Sequence, residues 1–211
     1  MTSKQVILVG GFCEMVELCN RCNLEVVGVI DASPMAFQEY EIPYLGTDDV
    51  VLSDPDRFSH IPLVVVPDDP VIRRRIVERY RSAGFRFATI ISPDADVSPT
   101  SELEEGVVVQ SHVVIMAQAR ISAFSKLNVG VKVFHECRVN EFVTIAPGAT
   151  LLGRVTVNEE AYIGASSVVL PERIIGRSSK VGAGAVVTHD VPDGQVVVGV
   201  PARKMEKYGQ E

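Results

Sequence analysis

Basic residues are in the minority: 20 Lys and Arg stand against 27 Asp and Glu in 211 residues, a formal charge of −7. That balance excludes general nucleic-acid binding, which runs on a basic footprint. No apolar run approaches the ~20 residues that a membrane span needs. Residues 1–10 hold one charge and a short apolar run. They lack the longer apolar core and small-residue cleavage site of a signal peptide and read as a first strand. A cytoplasmic protein with a small-molecule partner, and with neither nucleic acid nor membrane, is expected. Cysteine is sparse: Cys13, Cys19, Cys22 and Cys137 are too few for a disulfide scaffold. Cys19 and Cys22 have C-x-x-C spacing without a second ligand pair, and they fall late in a helical stretch where a redox motif would open one. Helix packing accounts for them. No His/Cys/Asp cluster has metal-ligand spacing, so no metal is expected. Hydrophobic residues at 46% and charged residues at 22% exclude a disordered chain, and the length suits one or two domains.

What is present divides into two halves with different periods. The first, residues 1–92, alternates strand and helix signals. Val6–Val9 is a buried strand running into Gly10-Gly11. Glu14 to Cys22 carries apolar residues at helical spacing, at Met15, Leu18, Cys19 and Cys22. Val26–Ile30 is a second strand, ending at Asp31. Leu63–Val66 is another, closed by Pro67-Asp68-Asp69. Pro70 then opens a helix to about Ala83, with Val71, Ile76, Val77 and Tyr80 expected inward, Arg73, Arg74 and Arg75 outward, and Gly84 as its stop. Phe87 to Ile91 is expected as the last strand. The pattern predicts a small βαβ-type, Rossmann-like domain with a parallel sheet.

From Val97 the period is six. Val97, Leu103, Val109, Ile115, Ile121, Leu127, Val133, Val139, Ile145, Leu151, Val157, Ile163, Val169, Ile175, Val181 and Val187 are consecutive sixth residues. Val, Ile and Leu fill 61 of 211 positions, so sixteen in a row has a chance of about 10⁻⁹ per frame in a random arrangement. The position two before each is small or modest, as at Ala119, Cys137, Ala149, Ala161, Ser167 and Ala185. Arg173 is the exception and is expected to bulge one corner. No helix has period six, and hexads mean a parallel β-helix. At three hexads per coil, residues 93–195 make about five coils, followed by a tail over 196–211.

The hexads, with Ala165-Ser166-Ser167-Val168-Val169-Leu170-Pro171, Gly182-Ala183-Gly184-Ala185-Val186-Val187 and the exit Val198-Gly199-Val200-Pro201-Ala202-Arg203, resemble the left-handed β-helix acetyltransferases. With the αβ domain in front, residues 4–206 look like the sugar O/N-acetyltransferases that include the sialic acid, bacillosamine-pathway and perosamine enzymes. The resemblance implies a left-handed coil and a homotrimer. It also implies acetyl-coenzyme A in a groove between subunits, and a first domain holding the nucleotide of a nucleotide-linked sugar. The family's catalytic histidine and following acid match His135 and Glu136. Its backbone contacts to the cofactor match Gly153, Ala165 and Ala183. Thr144 stands where close relatives carry a second histidine near the thioester, and Arg203 is placed to meet the cofactor's phosphates. Relatives show Gly-x-x-Gly-His-Gly after the first strand. Here Gly10-Gly11 runs at once into Phe12, so the loop is shorter and its histidine is absent. Gly10, Gly11, Phe12, Asp31 and Pro67 are the expected substrate contacts, with Asp31 where a ribose- or base-reading carboxylate belongs.

The chemistry fits the residues. Acetyl transfer needs a base for the nucleophile's proton and donors for the oxyanion. His135 sits at the third place of its hexad, where side chains leave the coil, and a neutral imidazole can take a proton at pH 7. Glu136 would fix its tautomer. His189, 54 residues on, falls on the same edge about 14 Å away by strand spacing, too far for one proton transfer. His112 does not align, and His60 precedes a strand. The expected activity is N-acetylation of a nucleotide-linked 4-amino-4,6-dideoxy hexose by direct transfer. Sugar O-acetylation, a non-enzymatic β-helix scaffold and a nicotinamide oxidoreductase are the rivals. The missing G-x-G-x-x-G argues against the last.

Overall fold

Apolar strand runs and amphipathic helices alternate at the start because helices cover both faces of the central strands, where Val6–Val9 and Leu63–Val65 are buried. The computed structural model describes residues 4–34 and 40–205. Strands β1 (Lys4–Val9), β2 (Leu24–Ile30), β3 (Tyr44–Gly46) and β4 (Leu63–Val65) form one parallel sheet in the order β3-β2-β1-β4. Helix α1 (Cys13–Arg21) lays Met15, Val16, Leu18 and Cys19 on one face of the sheet. Between β3 and β4 lies the short helix α2 (Asp48–Ser53). Helix α3 (Pro70–Ser82) lays Val77 and Tyr80 on the other face. Since β2 and β4 flank β1 on opposite sides, the loops after β1 and β4 part at the carboxyl edge, the position where such sheets open a crevice.

The inward stripe of α3 differs from the expected one. Residues 70, 73, 77 and 80 are buried, the i, i+3, i+4 spacing of one helix face. Arg73 therefore lies inside, 2% exposed, and Val71 lies outside at 50%. The reason is that α3 packs on a second partner as well as the sheet. Nε of Arg73 donates to the Phe124 carbonyl at 2.8 Å, Nη2 to Phe142 at 2.9 Å and Val143 at 3.1 Å, and Nη1 to Pro67 at 2.8 Å. These are buried carbonyls that need donors. Asp69 caps α3 by accepting from the N–H groups of Val71 and Ile72.

The expected strand over Phe87–Ile91 divides. Phe87 makes only an isolated parallel bridge to Leu63. Ile90–Ile91 pairs with Val108–Val109 and is the first rung of the β-helix. From there two-residue strands recur every six residues and stack every eighteen. One face is built on Ile90, Val108, Lys126, Thr144, Tyr162 and Lys180, a second on Asp96 through Val186, a third on Glu102 through Ile174. The sixteen hexad aliphatics fill the interior together with the small residues two places earlier. Arg173 makes no bulge. Thr156 and Val157 keep register with Ile174 and Ile175, and the guanidinium leaves the coil toward Asp190, 3.5 Å away. The final coil is shorter, pairing Lys180 with Val196. Arg203–Lys204 then folds back antiparallel on Val197 and Val198.

Three residues after each inward aliphatic from Leu103 to Val181, the turn takes a positive φ, at 57° in Glu136, 62° in Arg154 and 63° in Glu172. Side chains at this place stack into ladders eighteen residues apart. On one corner the ladder is Phe124 over Phe142, stacked at 5.2 Å. Both rings join the core under α3, fastening the αβ domain to the first face.

Candidate active site

The corner between the second and third faces carries the His135–Glu136 pair. His135 leaves the coil there, its side chain 48% exposed, and Nδ1 lies 3.0 Å from Oε2 of Glu136. The contact leaves Nε2 as the nitrogen that can exchange a proton with a ligand. Glu136 is held below the usual carboxylate range, first by the hydrogen bond to His135 and then by the Arg154 guanidinium. Gly153 lies one coil further along in the same column. A Cβ at Gly153 would fall 2.5 Å from Nε2, so the imidazole occupies the space that any other residue's side chain would need.

Arg154 and Glu172 complete this corner and went unnoticed in the sequence. Nη1 of Arg154 is 3.5 Å from Glu136 Oε2, while Nε and Nη2 lie 3.0 and 2.9 Å from Oε1 of Glu172. The signal that could have found them is the eighteen-residue spacing of Gln118, Glu136, Arg154 and Glu172. A pocket of about 220 Å³ beside the dyad is lined by Thr100, Glu102, Gln118, Arg120, Glu136 and Arg138.

Cys137 follows the dyad but points into the coil, with Sγ 3.1 Å from the Leu152 carbonyl. Burial pushes its thiol up to about 11, so it carries little thiolate at neutral pH. Cys19 is buried and pushed up to about 12, by burial and then by Cys22, as a packing residue would be.

The residues matched to cofactor contacts divide. Ala165 and Ala183 stack on another corner, where the Gly184 N–H donates to the Ala165 carbonyl at 2.8 Å. Gly153 is not in their column. Thr144 corrects the expectation outright. It is fully buried under the αβ domain, accepting from Arg73 Nη2 at 2.9 Å and donating to the Asp68 carbonyl at 2.6 Å. Its hydroxyl has no open face for a cofactor, because the first face of the coil is where the αβ domain docks. Lys126, one coil below on that face, is buried too. Its Nζ donates to the Val66 carbonyl at 2.8 Å and pairs with Asp68 at 2.7 Å. Burial lowers its pKa against the pull of Asp68. Arg203 is exposed beyond the last coil and lines a pocket of about 270 Å³ with His189, Asp190 and Lys204. His189 stands in the His135 column, and His112 on a different corner.

At the carboxyl edge of the sheet, Gly10, Gly11, Phe12, Asp31 and Pro67 come together. The Gly11 N–H donates to Asp31 Oδ2 at 2.6 Å and the Ser33 N–H to Oδ1 at 3.1 Å. Asp31 thus braces the short loop, with lone pairs left over for a ligand. A Cβ at Gly10 would lie 3.1 Å from the Pro67 ring. Phe12 precedes α1 and is 41% exposed, which excludes a core role.

No protein-family model matches the chain. Solved structures do. Perosamine N-acetyltransferase (PerB) from Caulobacter crescentus, in complex with CoA and GDP-perosamine, superposes with a TM-score of 0.89 at 32% identity. The match covers 96% of this chain and 97% of that one. The chain belongs to the hexapeptide-repeat sugar acetyltransferases. The acetyltransferase domain of PglB from Neisseria gonorrhoeae, in complex with acetyl coenzyme A, matches at 28% identity and a TM-score of 0.88, over 96% of this chain and all of that one. WeeI from Acinetobacter baumannii matches at 26% identity and 0.83 with the same coverage. Membership in this acetyltransferase family makes the chain an enzyme. It also accounts for the αβ domain standing ahead of a left-handed coil.

Proposed function

We propose that this acetyltransferase uses acetyl-CoA to acetylate the amine of a nucleotide-linked amino sugar, with His135 as general base. The observation that carries the reading is the exposed imidazole whose Nδ1 is held by Glu136 at 3.0 Å, leaving Nε2 for the substrate. CoA and GDP-perosamine in the solved relatives support the substrate class. A 4-amino-4,6-dideoxy hexose is the finer assignment.

The step is a direct transfer. The sugar amine attacks the thioester carbonyl carbon and its proton passes to Nε2. The tetrahedral intermediate collapses with cleavage of the C–S bond, and the departing sulfur takes the proton back as the CoA thiol. Glu136 stabilises the imidazolium in between. Backbone N–H groups at the coil corners supply the oxyanion contact. No covalent acyl-enzyme is needed, and the inward, high-pKa Cys137 is unsuited to form one. Gly10, Gly11, Phe12, Asp31 and Pro67 would hold the nucleotide end. Gly153, Ala165, Ala183 and Arg203 would border the CoA groove between subunits of a trimer.

Thiol release from acetyl-CoA, followed over a panel of UDP-, dTDP- and GDP-linked amino sugars and their hydroxyl counterparts, tests the reading. One amino sugar should support turnover, and His135→Ala should lower kcat by about 10²–10⁴. Turnover of a hydroxyl sugar alone would make the enzyme an O-acetyltransferase. A variant keeping more than a third of kcat would remove the base from His135.

A further inference from the structure

We propose that Arg154 is a positioning residue that sets how much of the Glu136 charge reaches His135, with Glu172 as its counterweight. The inference rests on the reading of His135 as the base. The geometry is a line of alternating charge along one corner. Glu136, Arg154 and Glu172 occupy the same turn place in successive coils, each with positive φ. Their backbones are tied together: the Arg154 N–H donates to the His135 carbonyl, and the Glu172 N–H to the Gly153 carbonyl, both at 3.0 Å. The Arg154 main chain is thereby fixed between the two carboxylates, and its guanidinium can reach either of them.

Two donors share one oxygen. Oε2 of Glu136 faces His135 Nδ1 at 3.0 Å and Arg154 Nη1 at 3.5 Å. The guanidinium lies nearer Glu172, at 2.9 and 3.0 Å. Its fork is thus engaged mainly away from the dyad. The other charges facing the dyad come from the third face below, where Arg120 and Arg138 line the adjoining pocket and Arg120 pairs with Glu102 at 3.3 Å. Further along the corner, Arg173 is turned to Asp190. Gly153 behind the ring brings no charge.

The signs follow. Glu136 stabilises the imidazolium and the Arg154 cation opposes it. Removing Arg154 leaves the whole carboxylate charge to His135, so its pKa rises. Removing Glu172 frees the guanidinium to close on Glu136, so the His135 pKa falls. Two variants on one ladder thus move the base in opposite directions, which a loss of local order would not do.

The chain has four histidines, His60, His112, His135 and His189, so imidazole NMR titration can resolve each, with His135→Gln assigning its own signal. Arg154→Gln should move the His135 NMR midpoint to higher pH, and Glu172→Gln should move it to lower pH. Arg154→Lys, which restores the charge, should return most of the shift. The acid limb of kcat/KM should move with the NMR value in each variant. Shifts of the same sign in both Gln variants, or no shift in either, overturn the inference. A kinetic limb that ignores the NMR value in the unaltered enzyme overturns the base assignment instead, so the two failures are told apart. All three side chains are about half exposed, and melting temperatures near that of the parent will show that the fold is not what changed.

Discussion

Gly153 shows what a single missing side chain does. Its backbone carries no positive φ, so alanine is free to adopt the same conformation, and the nearest atoms in its way are those of the His135 ring. The neighbour that must move is the far end of a side chain, so stability is not at stake. The imidazole has to swing by about 1 Å, and a misplacement of that size typically costs about 10²-fold in rate. Gly153→Ala should therefore lower kcat about a hundredfold, while thermal unfolding stays within about 2 °C of the parent. Unchanged kcat would mean that the reacting nitrogen is not the one resting on this glycine. Phe12 is the opposite case. It is exposed at the carboxyl edge of the sheet, where a ring can pack on a base or a sugar face.

Helix α3 joins the two architectures through the buried Arg73, flanked by Arg74 over the Phe142 ring and Arg81 over the Phe124 ring. Arg73 satisfies carbonyls from its own preceding loop and from the turns at Phe124, Phe142 and Val143. Burial brings its pKa down to about 10, against the pull of Asp68 and Asp69, so it remains charged at neutral pH. Replacing it strands several buried acceptors at ~1–3 kcal/mol each. Arg73→Met should cost at least ~3 kcal/mol in denaturant unfolding and open the αβ–coil junction to protease. Arg73→Lys should recover little, since one ammonium cannot span the fork. A stability loss under ~1 kcal/mol would show that water replaces the guanidinium without penalty. This helix also marks where reading the sequence stopped. The coil was legible because its period is set by one local rule, an aliphatic every six residues. In the βαβ domain β1, β2 and β4 were legible, while β3 was not read and the expected Phe87–Ile91 strand proved to be a single bridge and the first rung of the coil. The burial of Arg73 and Thr144 was not legible, because it depends on turns far along the chain in another domain, which no local pattern of apolar residues encodes. The His135–Glu136 pair was visible as neighbours. The Arg154–Glu172 extension needed the eighteen-residue period applied to charged residues as well as to aliphatic ones.

At the scale of the whole molecule, the αβ domain covers part of the first face of the prism, as the buried Lys126 and Thr144 show. The proposed trimer would use the second and third faces, two different surfaces meeting in one repeated contact that closes as a ring. Light scattering should give about 69 kDa, three times the 22.9-kDa chain, and activity should fall on dilution below the assembly constant. A fully active monomer would remove both the ring and the shared groove. The coil itself carries two periods at once. Its interior repeats every six residues, while its corners repeat every eighteen. A loss of six residues would pass unnoticed by the core, since every aliphatic would still find an inward place. The same loss would rotate everything beyond it by a third of a turn. A loss of eighteen would lower the later columns by one storey and leave each above its own corner. The sequence can thus change length cheaply in whole storeys only, and chemistry, rather than packing, counts the residues.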